Sequence, residues 1–379
     1  MKTKFSELEK KLISKKNRFK LSISQISEIK KKFKNQNILI YGAAGSIGEV
    51  FVLSILNYKF KKIYLVDKNE NQLVDLNRSI ILRKKKLNVE YICSDINNFN
   101  LNKFLFEKKI NMFLNFAAIK HVRSEENNYS LEYLFKTNCK SCFNFKQNKF
   151  LKNIFFISTD KACNPSSLMG VSKNLMEQQL FLKKKGFKNI FVSSVRFANV
   201  SFSNGSVLKM IVDKIKSEDN FGIPKNIYRF FITHEEAVSL CLKSLLKICD
   251  GMIVIPKERV LIDQLSIYEL LLKILKLYNV KFKIKKNTIF AKNFRINLIK
   301  NKIMGQKERE VLFEENETNL IKNLDQSTLI FKPIISYSKL KFIKKFNLDT
   351  FSKKFKRKIF KYYKNVEYKN LGFKISQKL

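Results

Sequence analysis

The run Gly42-Ala43-Ala44-Gly45-Ser46-Ile47-Gly48 directly follows the short apolar stretch Asn37–Tyr41 and opens a helical pattern over Ile47–Leu56. Glycines at this junction permit a tight turn and let a pyrophosphate approach the backbone N–H groups at a helix N-terminus. Three glycines alone are a weak signal; the strand before them and the helix after them make it a strong one. Asp67 ends the next apolar stretch, Ile63–Val66, where a carboxylate can accept both hydroxyls of an adenosine ribose. That favours NAD over NADP, because Asp67 would repel a 2′-phosphate. Asp95 and Ile96 follow the third stretch, Val89–Ile92, and are expected near the adenine edge. Asn115-Phe116-Ala117-Ala118 closes the fourth, with Ala117 and Ala118 small enough to wall a cofactor.

Short apolar runs continue at Met112–Phe116, Ile154–Ile157 and Phe191–Val195, separated by helical segments such as Gln72–Leu82. This alternation predicts an α/β fold, a Rossmann doubly wound parallel sheet covered on both faces. After residue 200 the alternation decays. The expected division is a basic helical lead-in over 1–35, an NAD-binding domain over 36–199, a smaller mixed substrate-binding lobe over 200–330 that partly returns to the sheet, and a basic aromatic-rich tail over 331–379. Leu8, Leu12, Ile26, Ile29 and Phe33 recur at roughly helical spacing in the lead-in. A helix packed on the next domain accounts for them better than attachment to a membrane surface.

The net charge of +43 invites a polyanion as partner, but the lysines are spread along every segment instead of forming one stripe. Abundant Lys, Asn, Ile and Phe, with no Trp, point to compositional bias, so no specific nucleic-acid partner is expected. No apolar stretch approaches the roughly 20 residues of a membrane span, and the N-terminus lacks a signal-peptide core. Six scattered cysteines, including an isolated Cys139-x-x-Cys142 pair, suggest reduced thiols in the cytoplasm and no metal site.

The chemistry is concentrated in residues 158–173. Ser158-Thr159-Asp160-Lys161 follows the apolar stretch Ile154–Ile157, and Met169-Gly170-Val171-Ser172-Lys173 enters a helix. A carboxylate and two amines thus gather beyond a strand end, where open α/β sheets bind ligands. Met169 stands four residues before Lys173, where a short-chain dehydrogenase carries the Tyr of Tyr-x-x-x-Lys. A thioether cannot exchange protons.

Five motifs in order resemble one family: Gly42–Gly48, Asn115–Val122, Ser158–Lys173, Val195–Val207 and Arg229–Thr233. They resemble the CapD-type polysaccharide-biosynthesis proteins, extended short-chain dehydrogenases acting as nucleotide-sugar 4,6-dehydratases, and within them a branch with Met at the Tyr position. The resemblance covers about residues 36–315. Gly305-Gln306-Lys307-Glu308-Arg309-Glu310 partly resembles the family's late motif that closes over the nucleotide. What it implies is a UDP-N-acetylhexosamine substrate, most often UDP-N-acetylglucosamine, and a redox-neutral loss of water. Bound NAD oxidises C4, a base removes the C5 proton, and the C6 hydroxyl leaves as water. By the same resemblance Thr159 meets the O4 region, Asp160 protonates the C6 hydroxyl, Lys161 is the C5 base and Lys173 holds the nicotinamide ribose. Lys161 can be a base only if its pKa falls from about 10.4 towards neutrality. Lys120 and His121 are expected at substrate or cofactor phosphates, and Arg196, Asn199 and Arg229 at the nucleotide diphosphate. His234, beside Glu235 and Glu236, is expected to be exposed. A homo-oligomer is implied by resemblance alone.

Other functions consistent with these residues are a UDP-sugar epimerase, a catalytically silent sugar-nucleotide-binding protein suggested by Met169, and a nucleic-acid-binding module suggested only by charge. Asp160-Lys161 speaks for dehydration, since simple C4 epimerisation needs no acid for a C6 hydroxyl.

Overall fold

A computed structural model of the chain describes residues 5–83, 87–120, 125, 127–187, 189–261, 265–299, 310–336, 359–363 and 365–366. Six strands carry the apolar runs: β1 (Asn37–Tyr41), β2 (Lys62–Asp67), β3 (Val89–Cys93), β4 (Met112–Asn115), β5 (Asn153–Ile157) and β6 (Phe191–Val195). They lie parallel in the order β3-β2-β1-β4-β5-β6. Met252–Pro256 extends this sheet in parallel, and the antiparallel strands Thr328–Phe331 and Ile321–Asn323 close its edge. Residues 153–157 of β5 are buried throughout, as a strand covered on both faces must be.

The first helices in the chain are α1 (Ser6–Leu12) and α2 (Ile23–Phe33), followed by α3 (Ser46–Ile55) and α4 (Glu70–Arg83). Next come α5 (Leu101–Glu107), α6 (Asn128–Asn144), α7 (Leu168–Gly186), α8 (Val207–Lys216) and α9 (His234–Lys243). The main core joins the sheet to helices on both faces, including α2 through Ile29 and Phe33. A second core surrounds α8, the helix Ile267–Leu277 and a four-stranded sheet made of Phe282–Lys285, Thr288–Ala291, Arg295–Ile299 and Phe221–Pro224. Leu12 is buried there, with Leu8 packed beside it. A third cluster lies between α6 and α7, where Ile359, Tyr363 and Val366 of the tail are buried.

The lead-in is fastened by polar contacts as well. Glu9 accepts hydrogen bonds from Ser201 Oγ (2.7 Å) and the His234 backbone N–H (3.0 Å), and its Oε1 lies 2.7 Å from His234 Nδ1. Arg18 clasps both carboxylate oxygens of Glu236 and donates to the carbonyls of Phe231 and Leu261. His234 is therefore buried, not exposed as its polar neighbours suggested. The reason is tertiary: a carboxylate some 225 positions earlier covers it. Among the described residues no helix is long and apolar enough to cross a membrane.

Candidate active site

Because β1 to β6 run parallel, the segments that follow them all emerge at one end of the sheet. The strand order reverses between β1 and β4, which opens the crevice where such sheets take ligands. Gly42 turns there with φ +69°, and a Cβ on it would stand 2.6 Å from the Ala117 backbone nitrogen. The two segments thus meet more closely than any side chain allows. Gly45 precedes α3 as its N-cap and supplies no side-chain cap, so no side chain covers the N–H groups over Ser46, Ile47 and Gly48 on that account. Ser46 Oγ accepts from the Asn204 N–H (2.8 Å), joining the glycine turn to the segment after β6.

Asp67 ends β2 and accepts from the N–H groups of Ala44 and Asn69, each at 3.1 Å. A carboxylate has about four acceptor positions, so capacity for ribose hydroxyls remains. Asp95 accepts from the Tyr133 hydroxyl and from the Asn97 N–H (2.8 Å). Tyr133, on α6, also lies under Lys68, whose ammonium is 4.9 Å from the ring centroid. Tyr133 was not singled out by sequence, since nothing local connects it to Asp95. Ile96, Ala117 and Ala118 are partly buried at this rim. An uncapped helix start, a close glycine turn and a carboxylate with spare acceptor capacity together fit a dinucleotide.

Beyond β5 the charged residues are held tightly. Asp160 opens a short 3-10 turn to Ala162, and its backbone N–H reaches the Phe197 carbonyl at 3.3 Å. The residue is 1% exposed, and its carboxylate accepts from Thr159 Oγ1 at 2.7 Å and is bridged by Lys161 Nζ at 3.1 and 3.2 Å. Gly170 lets α7 start against this turn: a Cβ there would stand 2.4 Å from the Lys161 carbonyl oxygen. Burial disfavours the Lys161 ammonium, but Asp160 and Glu310 outweigh it and raise the pKa. The Lys161 pKa is thus raised, opposite to what a role as base requires, because Asp160 and Glu310 outweigh burial and the nearby Arg229.

Lys173 is buried, donates to the Ile157 carbonyl at the end of β5 (3.0 Å), and is pulled down to about 8 by burial. Lys120 reaches Ser203 Oγ at 3.0 Å. Desolvation of its ammonium and the nearby Lys161 charge lower its pKa to about 8, although the residue as a whole stays exposed. Met169 is buried among Leu131, Leu134, Phe135 and Leu175, and its backbone N–H donates to Glu125 at 2.8 Å. Burial pushes the Glu125 carboxyl up to about 7, partly offset by the N–H groups of Met169 and Leu168. Sequence reasoning missed Glu125, which reads as one of two solvated glutamates.

The residues expected at the diphosphate divide. Arg196 is 1% exposed and is clasped by Glu177 (2.9 and 2.7 Å) and Glu317 (3.0 Å). It is the cation of a structural ion triad, and the diphosphate assignment is corrected: the two carboxylates and the Leu312 carbonyl (3.0 Å) take up its guanidinium inside the core. Asn199 and Arg229 instead stand near Lys161, both against Glu310, from which Asn199 Nδ2 is 2.6 Å away and Arg229 Nε 3.6 Å. His121 and residues 305–309 lie outside the described residues.

Fold and site together define a Rossmann-type α/β protein with a glycine turn at a helix start and, beyond β5, a buried carboxylate paired with a half-buried lysine ammonium. The pattern of the polysaccharide biosynthesis protein family matches residues 38–332, and the chain belongs to that family. Among its relatives, the inverting UDP-N-acetylglucosamine 4,6-dehydratase of Campylobacter jejuni is 30% identical over 235 residues, 59% of this chain and 68% of that protein. An uncharacterized membrane protein of Methanocaldococcus jannaschii is 30% identical over 57% of this chain, and the match spans 65% of its length. For the capsular polysaccharide biosynthesis protein CapD of Staphylococcus aureus the identity is 28%, and the match spans only 37% of its length. Among solved structures, Pen from Bacillus thuringiensis superposes with a TM-score of 0.61 at 24% identity, covering 80% of this chain and 91% of that one. The UDP-glucuronic acid 4-epimerase of Bacillus cereus, solved with UDP-glucuronic acid and NAD, superposes with a TM-score of 0.52 at 19% identity, covering 72% and 88%. Both show the same fold.

Proposed function

We propose that the chain is a nucleotide-sugar 4,6-dehydratase that uses NAD and takes a UDP-N-acetylhexosamine, UDP-N-acetylglucosamine first among them. The observation that carries this is the Asp160–Lys161 pair, with Asp160 1% exposed and its carboxylate hydrogen-bonded by both Thr159 and Lys161 at the end of β5. Elimination of water from a 4-keto sugar needs an acid for the departing hydroxyl and a base for the neighbouring C–H, and this pair supplies one group of each kind. Gly42, Gly45, Ser46, Ile47 and Gly48 would hold the cofactor's pyrophosphate, Asp67 its adenosine ribose and Lys173 its nicotinamide ribose. NAD, when bound, supplies the transient oxidation at C4. Thr159 would orient O4, and Asn199 with Arg229 would face the diphosphate. None of the six cysteines, all of them among the described residues, forms a disulfide.

Purified protein given UDP-N-acetylglucosamine and NAD should yield a sugar nucleotide lighter by one water, with no net cofactor consumed. Binding without a mass change would leave only a sugar-nucleotide-binding protein, and an isomer of unchanged mass would select an epimerase.

Met169 fills an apolar cluster, and its polar contacts are made by its backbone, whose N–H donates to Glu125 and whose carbonyl accepts from Ser172 Oγ at 2.6 Å. Met169→Leu, which conserves volume at a cost under about 1.5 kcal/mol, should retain water loss within a few fold. A loss of several hundredfold would show that the thioether touches the reacting sugar.

A further inference from the structure

The turn that carries Asp160 and Lys161 is tied to a part of the chain that lies beyond the family match. That match ends at residue 332, whereas Ile359, Tyr363 and Val366 of the tail are buried in the cluster between α6 and α7. Residues 359–362 are helical, and the Tyr363 N–H donates to the Ile359 carbonyl at 2.8 Å. The Tyr363 ring is thereby set so that its hydroxyl donates to Asn174 Oδ1 at 2.8 Å. Asn174 lies on α7, next to Lys173, and is buried as well; its Nδ2 donates to the Ala162 carbonyl, again at 2.8 Å. Ala162 closes the 3-10 turn that Asp160 opens. Within that turn the Ala162 N–H reaches the Thr159 carbonyl and the Cys163 N–H the Asp160 carbonyl, each at 3.1 Å. A second tail contact lies just past the turn, where Asn365 Nδ2 donates to Asn164 Oδ1 at 2.8 Å.

We infer that Tyr363 is a positioning residue: through Asn174 it holds the Ala162 end of the turn, and with it the direction in which Asp160 and Lys161 meet the sugar. This rests on the dehydratase reading above. A 3-10 turn of three residues has few and poorly aligned hydrogen bonds of its own, so its shape depends on what grips it from outside. The grip on Ala162 is a buried amide engaged at both ends. Without the hydroxyl, Oδ1 is left as a buried acceptor that has lost its donor, and the amide relieves this by rotating, at the expense of the bond to Ala162. The carboxylate and the ammonium sit on the two residues immediately before Ala162, so a shift of that carbonyl is passed to both. Displacements of about 1 Å at reacting groups can cost about a hundredfold in rate, while groups that only bind the nucleotide are unaffected.

Tyr363→Phe keeps the ring in its apolar cluster and removes only the hydroxyl. It should lower kcat for water loss from UDP-N-acetylglucosamine about tenfold, with KM and NAD affinity within about twofold of the wild type. Asn174→Ala should lower kcat at least as far. The double variant should be no slower than Asn174→Ala alone, because both residues act through one link. An unchanged kcat in Tyr363→Phe, a loss confined to KM, or effects that multiply in the double variant would each overturn the inference. Amide hydrogen exchange, followed by peptide mass spectrometry on the full chain, tests the link without turnover and without the Asn174 variants. In Tyr363→Phe the peptide that contains the Ala162 and Cys163 N–H groups should exchange about tenfold faster, with the peptides of β1 to β6 unchanged. Equal exchange in that peptide, or acceleration throughout the sheet, would mean that Tyr363 has no such role or only holds the fold together. Faster exchange confined to the turn, in a protein that removes water from no UDP-sugar, would keep the tether and sink the dehydratase reading instead.

Discussion

Asp160→Asn should lower the rate of water loss about a thousandfold while NAD binding is unchanged. General acid–base groups contribute typically about 10² to 10⁴ in rate, and this carboxyl is the only one bonded to both Thr159 and Lys161 among the described residues. Asparagine keeps the shape, so Thr159 Oγ1 can still donate to its oxygen, and the Gly42–Gly48 turn lies beyond other strands of the sheet. Removal of the acid blocks departure of the C6 hydroxyl but not loss of the C5 proton. In deuterium oxide the variant should therefore return UDP-sugar labelled at C5, seen by mass spectrometry and proton NMR. Wild-type rates of water loss in Asp160→Asn would remove Asp160 from the mechanism; lost label together with lost turnover would place it earlier, at the oxidation or at binding.

Arg196→Met is expected to destabilise the fold by about 3–5 kcal/mol and to leave UDP affinity per folded molecule unchanged. The loss follows from what remains: Glu177 and Glu317, both buried, would face one another without a cation. Glu177 is further committed, accepting from Ser158 Oγ at 2.5 Å, so the strain reaches the start of the acid–amine turn. Urea denaturation measures the first quantity and calorimetric titration with UDP the second. Replacing Arg196 by Met together with Glu177→Gln and Glu317→Gln should recover most of the stability, because the cost lies in the uncompensated charges. A tenfold or greater fall in UDP affinity in a stable Arg196→Met protein would return the residue to the diphosphate.

The cradle was legible because its parts are consecutive. A strand, a glycine turn and a helix start are local events, and Gly42–Gly48 fulfils all three within one segment. Thr159, Asp160 and Lys161 were legible for the same reason: charge straight after a buried strand has to lie at the strand's end. The residues misread, or not read at all, were those whose meaning depends on a distant partner. Arg196 follows β6 like any ligand-facing arginine, and Glu177 on α7 and Glu317, some 121 positions later, make it structural. His234 has polar neighbours in sequence and a buried carboxylate in space. Glu125 was not read at all and Glu310 only as the end of the late motif, yet each accepts from a backbone N–H of a distant segment.

The sequence by itself determined the parallel α/β sheet, the glycine turn and the position of the acid–amine pair, since periodicity, glycine sterics and strand ends act over a few residues. Only the tertiary structure decided which charges are free to meet a ligand and which are spent on the fold. It also decided the sign of the Lys161 shift, because a group's charge is set by its neighbours in space, and here those are the adjacent Asp160 and Glu310, 149 residues later in the chain.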